Sequence, residues 1–88
     1  MTLQDSLIDY PCDFPIKVLG QSQHGFAQAV MEVVVRHDPG FNAGTIEMRS
    51  SSKARYISLT CIVRATSREQ LDALYQELCD HPMVVMVL

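Results

Sequence analysis

Met83-Val84-Val85-Met86-Val87-Leu88 closes the sequence as six consecutive apolar residues. Terminal residues that stay in water are usually polar, so this run is expected to be tied into a sheet as a strand. A strand needs a neighbour to pair with and a layer to cover it. In a chain of 88 residues both must come from the same small domain. A chain of this size buries roughly 60–65% of its unfolded surface, enough for one modest core.

The rest of that core can be traced by working back from the end. Ser67-Arg68-Glu69-Gln70 has the form of a capping box, in which Ser67 caps the Gln70 amide and Gln70 reaches back. Leu71, Leu74, Tyr75 and Leu78 follow at helical spacing, and Asp80-His81-Pro82 stops the helix. Before it, Arg55 to Ala65 alternates. Ile57, Leu59, Cys61, Val63 and Ala65 share one face, and Tyr56, Ser58, Thr60, Ile62 and Arg64 share a more polar one. Thr45–Ser50 alternates as well, and the polar turn at 51–54 makes the two strands a hairpin. Upstream, Phe26, Val30, Val33 and His37 are spaced for a helix running from about His24, with Arg36 and His37 in its last turn. The run Val33-Val34-Val35 favours a strand, but Asp38-Pro39-Gly40 supplies a helix stop. Phe14 to Leu19 alternates as the first strand, ending at Gly20.

Strand, helix, strand, strand, helix, strand is the order of an α+β, ferredoxin-like βαββαβ sandwich, with a four-stranded antiparallel sheet carrying both helices on one face. The first and third strands are then central. The terminal strand is an edge beside 14–19, apolar on both faces, which calls for a cover. Either Leu3, Leu7 and Ile8 fold over it or another chain does. Residues 1–13 form a partly ordered entry segment, and 14–88 form the domain.

Composition narrows the function. Net charge is −3, which argues against nucleic-acid binding through a strong positive field. Only Tyr56 offers an aromatic on the open face of the central strands, so base stacking on that face is not expected either. No apolar run is long enough to span a membrane, and the first residues lack the pattern of a signal peptide, so a cytoplasmic protein is expected. Cys12, Cys61 and Cys79 are expected as free thiols, with Cys61 in the core. No Cys-x-x-Cys or suitably spaced His pair is present, so no metal or other cofactor is expected. Two weak candidate sites remain. One is the strand-to-helix turn Gly20, Gln21, Ser22 and Gly25, which could present helix amides to a small effector. The other is an interaction patch made of Arg49, Lys53 and Arg55 on the hairpin together with Val85 and Val87 on the closing strand.

With these residues in view, the chain resembles the YbeD-like family of small bacterial proteins. The resemblance rests on Phe14-Pro15 before Lys17-Val18, Gly20, Arg36-His37 followed by Pro39-Gly40, and Ser51-Ser52-Lys53 ahead of Tyr56. It continues through Glu69-Gln70-Leu71 to Leu78 and the closing Val85-Met86-Val87-Leu88. Ala54 stands where a glycine is expected. The resemblance implies a ferredoxin-like fold similar to ACT-type regulatory domains, which bind small effectors near the first strand-to-helix turn at dimer interfaces. It also implies a connection with lipoate metabolism. The expected function is a non-enzymatic regulatory or adaptor domain for a partner protein or small effector. The alternative is a homo-oligomeric structural protein without a ligand, and an enzyme using Cys79 or His81 is the third reading.

Overall fold

The computed structural model describes residues 9–51 and 53–88. The expectations for Leu3, Leu7 and Ile8 lie outside them. The elements are β1 (Cys12–Gln21), α1 (Phe26–His37), a 3-10 turn (Ala43–Thr45), β2 (Glu47–Ser50), β3 (Tyr56–Ala65), α2 (Arg68–Asp80) and β4 (Val84–Val87). The sheet order is β2-β3-β1-β4 with every neighbouring pair antiparallel. This is the ferredoxin-like sandwich expected from the sequence.

The alternation in β1 and β3 decides which face is dry. Ile16 and Val18 from β1, and Leu59, Cys61, Val63 and Ala65 from β3, are buried. Phe26, Val30, Val33 and Val34 of α1 and Leu71, Leu74 and Leu78 of α2 cover them. The valine run therefore sits in a helix. Packing of Val33 and Val34 against the sheet outweighs the weak strand preference of β-branched residues, and Val35 faces out.

The helix ends are stitched by polar side chains. The Ser67 hydroxyl accepts from the Gln70 amide at 3.1 Å, as a capping box requires. The Gln70 side chain reaches further back than that motif. Its Oε1 accepts from Thr66 N at 2.6 Å, while Nε2 donates to the carbonyls of His37 (2.8 Å) and Arg64 (3.0 Å). Buried Asp38 accepts from Arg64 N at 3.0 Å. One amide and one carboxylate thus join the C-terminus of α1, the end of β3 and the start of α2. Glu77 adds a pairing with Arg36 and stands 2.8 Å from His37 Nε2.

The strands differ from expectation in several places. β1 starts at Cys12, paired with Ala65, so the sheet takes in residues expected in the 1–13 entry segment. β1 runs on through Gly20, because β3 pairs with it along its full length and Ser22 N continues the ladder to the Arg55 carbonyl at 2.8 Å. β2 starts late because the Asn42 side chain accepts from Gly44 N at 2.9 Å and winds Ala43–Thr45 into a 3-10 turn. β4 does not alternate. Val18 faces Val87 and Leu19 faces Met86, but Gly20 faces Val84, so Val85 is an extra residue in a β-bulge. Neither simple face of the closing strand is buried as a set. Val84 and Val87 pack on the core, whereas Val85, Met86 and Leu88 are exposed.

Ala54 has φ +54°, in the left-handed region, and the Ser51 hydroxyl accepts from Arg55 N and Tyr56 N, both at 3.2 Å, to hold that turn. A Cβ in this conformation costs roughly 1 kcal/mol, offset in part by the greater freedom of glycine when unfolded. Ala54→Gly should therefore stabilise the chain by about 0.5–1 kcal/mol in urea unfolding. A destabilising result would show that the turn does not hold this conformation.

Candidate functional site

Where α1 begins, the edge of the sheet outruns its helical cover. β3 brings Ile57 and β2 brings Met48 to the helix side of the sheet, opposite Ala27 and Met31 of α1. Ile46 closes the far end. Gln23, His24, Gly25 and Gln28 form a polar rim at the helix N-terminus. The result is an open apolar groove of about 570 Å³, within the range of ligand pockets. Met48 is 54% exposed on its wall, a high value for a residue whose strand partner Leu59 is fully buried.

Backbone conformation gives the rim its character. Gly25 is the N-cap of α1 with φ +86°, and among the described residues no side chain caps the first turn. Phe26 N reaches back to the Gln23 carbonyl at 3.3 Å, and the following amides point toward the groove end of the helix, where partial positive charge collects.

The residues singled out in the sequence are divided by the structure. Gly25 lines the groove. Gly20 does not, because it faces inward and is covered. A Cβ built on Gly20 would lie 2.3 Å from the Phe26 ring and 2.5 Å from the Met83 carbonyl. Its lack of a side chain serves packing. Gln21 is exposed at the end of β1, and Ser22 is held by its backbone bond to Arg55. Within the hairpin patch, Arg49 borders a shallow depression of about 180 Å³ on the open sheet face with Leu19, Tyr56 and Ser58, while Lys53 and Arg55 are exposed in the turn. Val87 packs inward because of the bulge, so Val85, Met86 and Leu88 form the exposed edge surface in its place. The groove wall itself, Ala27, Met31, Ile46 and Met48, was not singled out. Its signal was the i, i+4 pair Ala27 and Met31 beside the buried stripe of α1.

The cysteines are free, with Cys61 buried, Cys12 half-buried and Cys79 exposed. Burial pushes the Cys61 thiol up to about 11, which removes it as a thiolate nucleophile near neutral pH. The His81 ring is used locally, with Nδ1 accepting from Met83 N at 3.1 Å. Among the described residues no group of three or more His, Cys, Asp or Glu could hold a metal, and no helix is long and apolar enough to cross a membrane.

The family described as "Protein of unknown function (DUF493)" matches residues 5–88. The chain belongs to the DUF493 family. It is 58% identical over 85 residues to a UPF0250 protein of Nitrosomonas europaea, covering 97% of this chain and 98% of that one. It is 56% identical over 85 residues to a UPF0250 protein of Bordetella pertussis, covering 97% and 93%. This agrees with the resemblance drawn from the sequence. Among solved structures, the H. pylori protein HP0495 superposes with a TM-score of 0.75 at 18% identity, over 100% of this chain and 96% of that one. The ACT domain of the GTP pyrophosphokinase of Chlorobium tepidum superposes with a TM-score of 0.67 at 18% identity, covering 88% and 97%. DUF493 thus shares its fold with ACT domains.

Two outcomes test this description of the site. Gly20→Ala should destabilise by about 1–3 kcal/mol through overpacking. Combined with Phe26→Leu, the cost should fall below the sum of the single costs in a double-mutant cycle. A neutral Gly20→Ala would show that the ring does not rest there. For Cys61, the folded chain holds its proton to about pH 11, while the unfolded chain releases it near 9.0. The folded state binds more protons between those values, so stability falls across that window and the contribution is fully present below it. Denaturant unfolding should show a loss roughly 2–3 kcal/mol larger in the wild type than in Cys61→Ala on going from pH 8 to 11. Equal losses would contradict the assignment.

Proposed function

We propose that this protein is a small cytoplasmic regulatory or adaptor domain, without catalytic activity, that responds to a small amphiphilic carboxylate bound in the α1–β2 groove. The observation that carries this reading is the pairing of an apolar wall, Ala27, Met31, Ile46, Met48 and Ile57, with a helix N-terminus that no side chain caps among the described residues. A short aliphatic chain would displace water from the wall. Its carboxylate would meet the unused amides of the first helical turn and the Gln23, His24 and Gln28 side chains. Lipoate and medium-chain fatty acids have that chemistry, which is the form a connection with lipoate metabolism would take. The ACT-domain likeness supports a regulatory role by fold alone. A protein partner is the second reading, favoured by the exposed Val85, Met86 and Leu88 on the β4 edge.

Titration of isotope-labelled protein with lipoate, octanoate and a panel of amino acids tests the groove. Amide shifts should concentrate at Gly25, Ala27, Gln28 and Met31 for the aliphatic acids. Met31→Glu, which sets a carboxylate against the wall, should weaken binding on the order of tenfold or more. Silence of those amides with every acid at millimolar concentration would overturn the proposal.

A further inference from the structure

β2 is an edge strand of the sheet, unpaired on its outer side among the described residues, and its backbone phase is set by two hydrogen bonds. Ser51 N donates to the Tyr56 carbonyl at 2.9 Å, and Ser22 N donates to the Arg55 carbonyl at 2.8 Å. Bonding directions alternate along an antiparallel ladder. Arg49 and Glu47, opposite Ser58 and Thr60, therefore spend their backbone groups on β3, whereas Met48 and Ser50 turn theirs to the open edge. Side chains alternate in the same phase. Glu47 and Arg49 lie on the open sheet face, and Met48 lies on the helix side beside the groove.

A second copy of the strand can add to this edge about a two-fold axis centred on any residue of β2, with the hydrogen-bonded positions falling on Met48 and Ser50, whose backbones face the edge. Centring on Glu47 or Arg49 would set like charges opposite each other. Centring on Ser50 sets Arg49 opposite Ser51 and carries Glu47 past the end of the second copy's β2, level with Lys53 in its turn. Centring on Met48 sets Glu47 opposite Arg49 of the second copy, and by symmetry Arg49 opposite its Glu47. A two-fold interface must be complementary to itself, and Glu-Met-Arg satisfies that in this register. The two charge pairs fall at non-hydrogen-bonded positions, where cross-strand side chains come closest. Neither residue is in an ion pair among the described residues. The paired Met48 side chains, now 54% exposed, would cover each other on the helix side. The opposite edge lacks these features. β4 carries no charge to select a register, and its bulge bends it away from regular pairing.

We infer that two copies of this chain pair through β2, in the antiparallel register centred on Met48 with reciprocal Glu47–Arg49 pairs, and join their two sheets into one. The dimer requires no ligand, so it is read without one, although it shares Met48 with the groove wall.

Charge reversal tests the register. In sedimentation equilibrium without ligand, the wild type should be a dimer. Glu47→Arg should oppose arginines at both pairs, and Arg49→Glu should oppose carboxylates at both, each weakening the dimer about ten- to a hundredfold. The double variant Glu47→Arg/Arg49→Glu should recover dimerisation. An equimolar mixture of the two single variants should form a heterodimer, since every pair then joins opposite charges. Both sites are exposed, so circular dichroism should stay that of the wild type. A wild type that remains monomeric at millimolar concentration would overturn the inference. So would single variants that dimerise like the wild type, or a dimer abolished by Val85→Lys on the other edge.

Discussion

The Phe26 ring lies over Gly20, in the space where any other residue would carry a side chain. That contact fixes the start of α1 on the sheet. Gly20 faces the core from within a strand, and the ring fills the hole that its missing side chain leaves. The Met83 carbonyl approaches the same spot from the other side, so β4 begins hard against it. The strand then takes in Val85 as an extra residue before it regains register at Met86. One glycine–aromatic contact thereby links the first helix, the central strand and the irregular edge. It also explains why the residue that looked most like part of a ligand loop is closed to ligands.

At the opposite end of the sheet the constraint is polar. The C-terminus of α1 and the N-terminus of α2 each leave backbone groups without helical partners. Gln70 and Asp38 satisfy groups of α1, of β3 and of the link between β3 and α2. Packing of apolar side chains alone would let the helices slide along the sheet. Directional bonds at this end and the Phe26 contact at the other hold α1 at two points. The groove sits beside the Phe26 contact, where β2 extends past the helical cover and Met48 on its wall stays exposed.

Much of this was legible because it depends on period. Leu71, Leu74 and Leu78 repeat as a helix must, and Leu59, Cys61 and Val63 repeat as a half-buried strand must. The capping role of Ser67 was legible too, since the bond from the Gln70 amide spans one turn. Harder features depend on neighbours remote in the chain. Gly20 reads as a stop until β3 is seen pairing beyond it. The inward turn of Val87 cannot follow from alternation, because a bulge changes the phase between Val84 and Met86. The groove escaped for the same reason. Met48 alternates with its neighbours as a core residue would, and only the extent of α1 shows that the helix leaves it exposed.

The sequence by itself determined the number and order of the α-helices and strands and the apolar faces of both helices and the central strands, because these follow from local spacing and hold in any environment that excludes water from one side. Tertiary structure alone decided which glycine packs and which one caps, which valine of the closing strand turns inward, and which edge carries complementary charge. Those outcomes depend on distances between segments far apart in the chain. A residue's chemistry states what it can do, and its neighbours across the sheet decide whether it is free to do it.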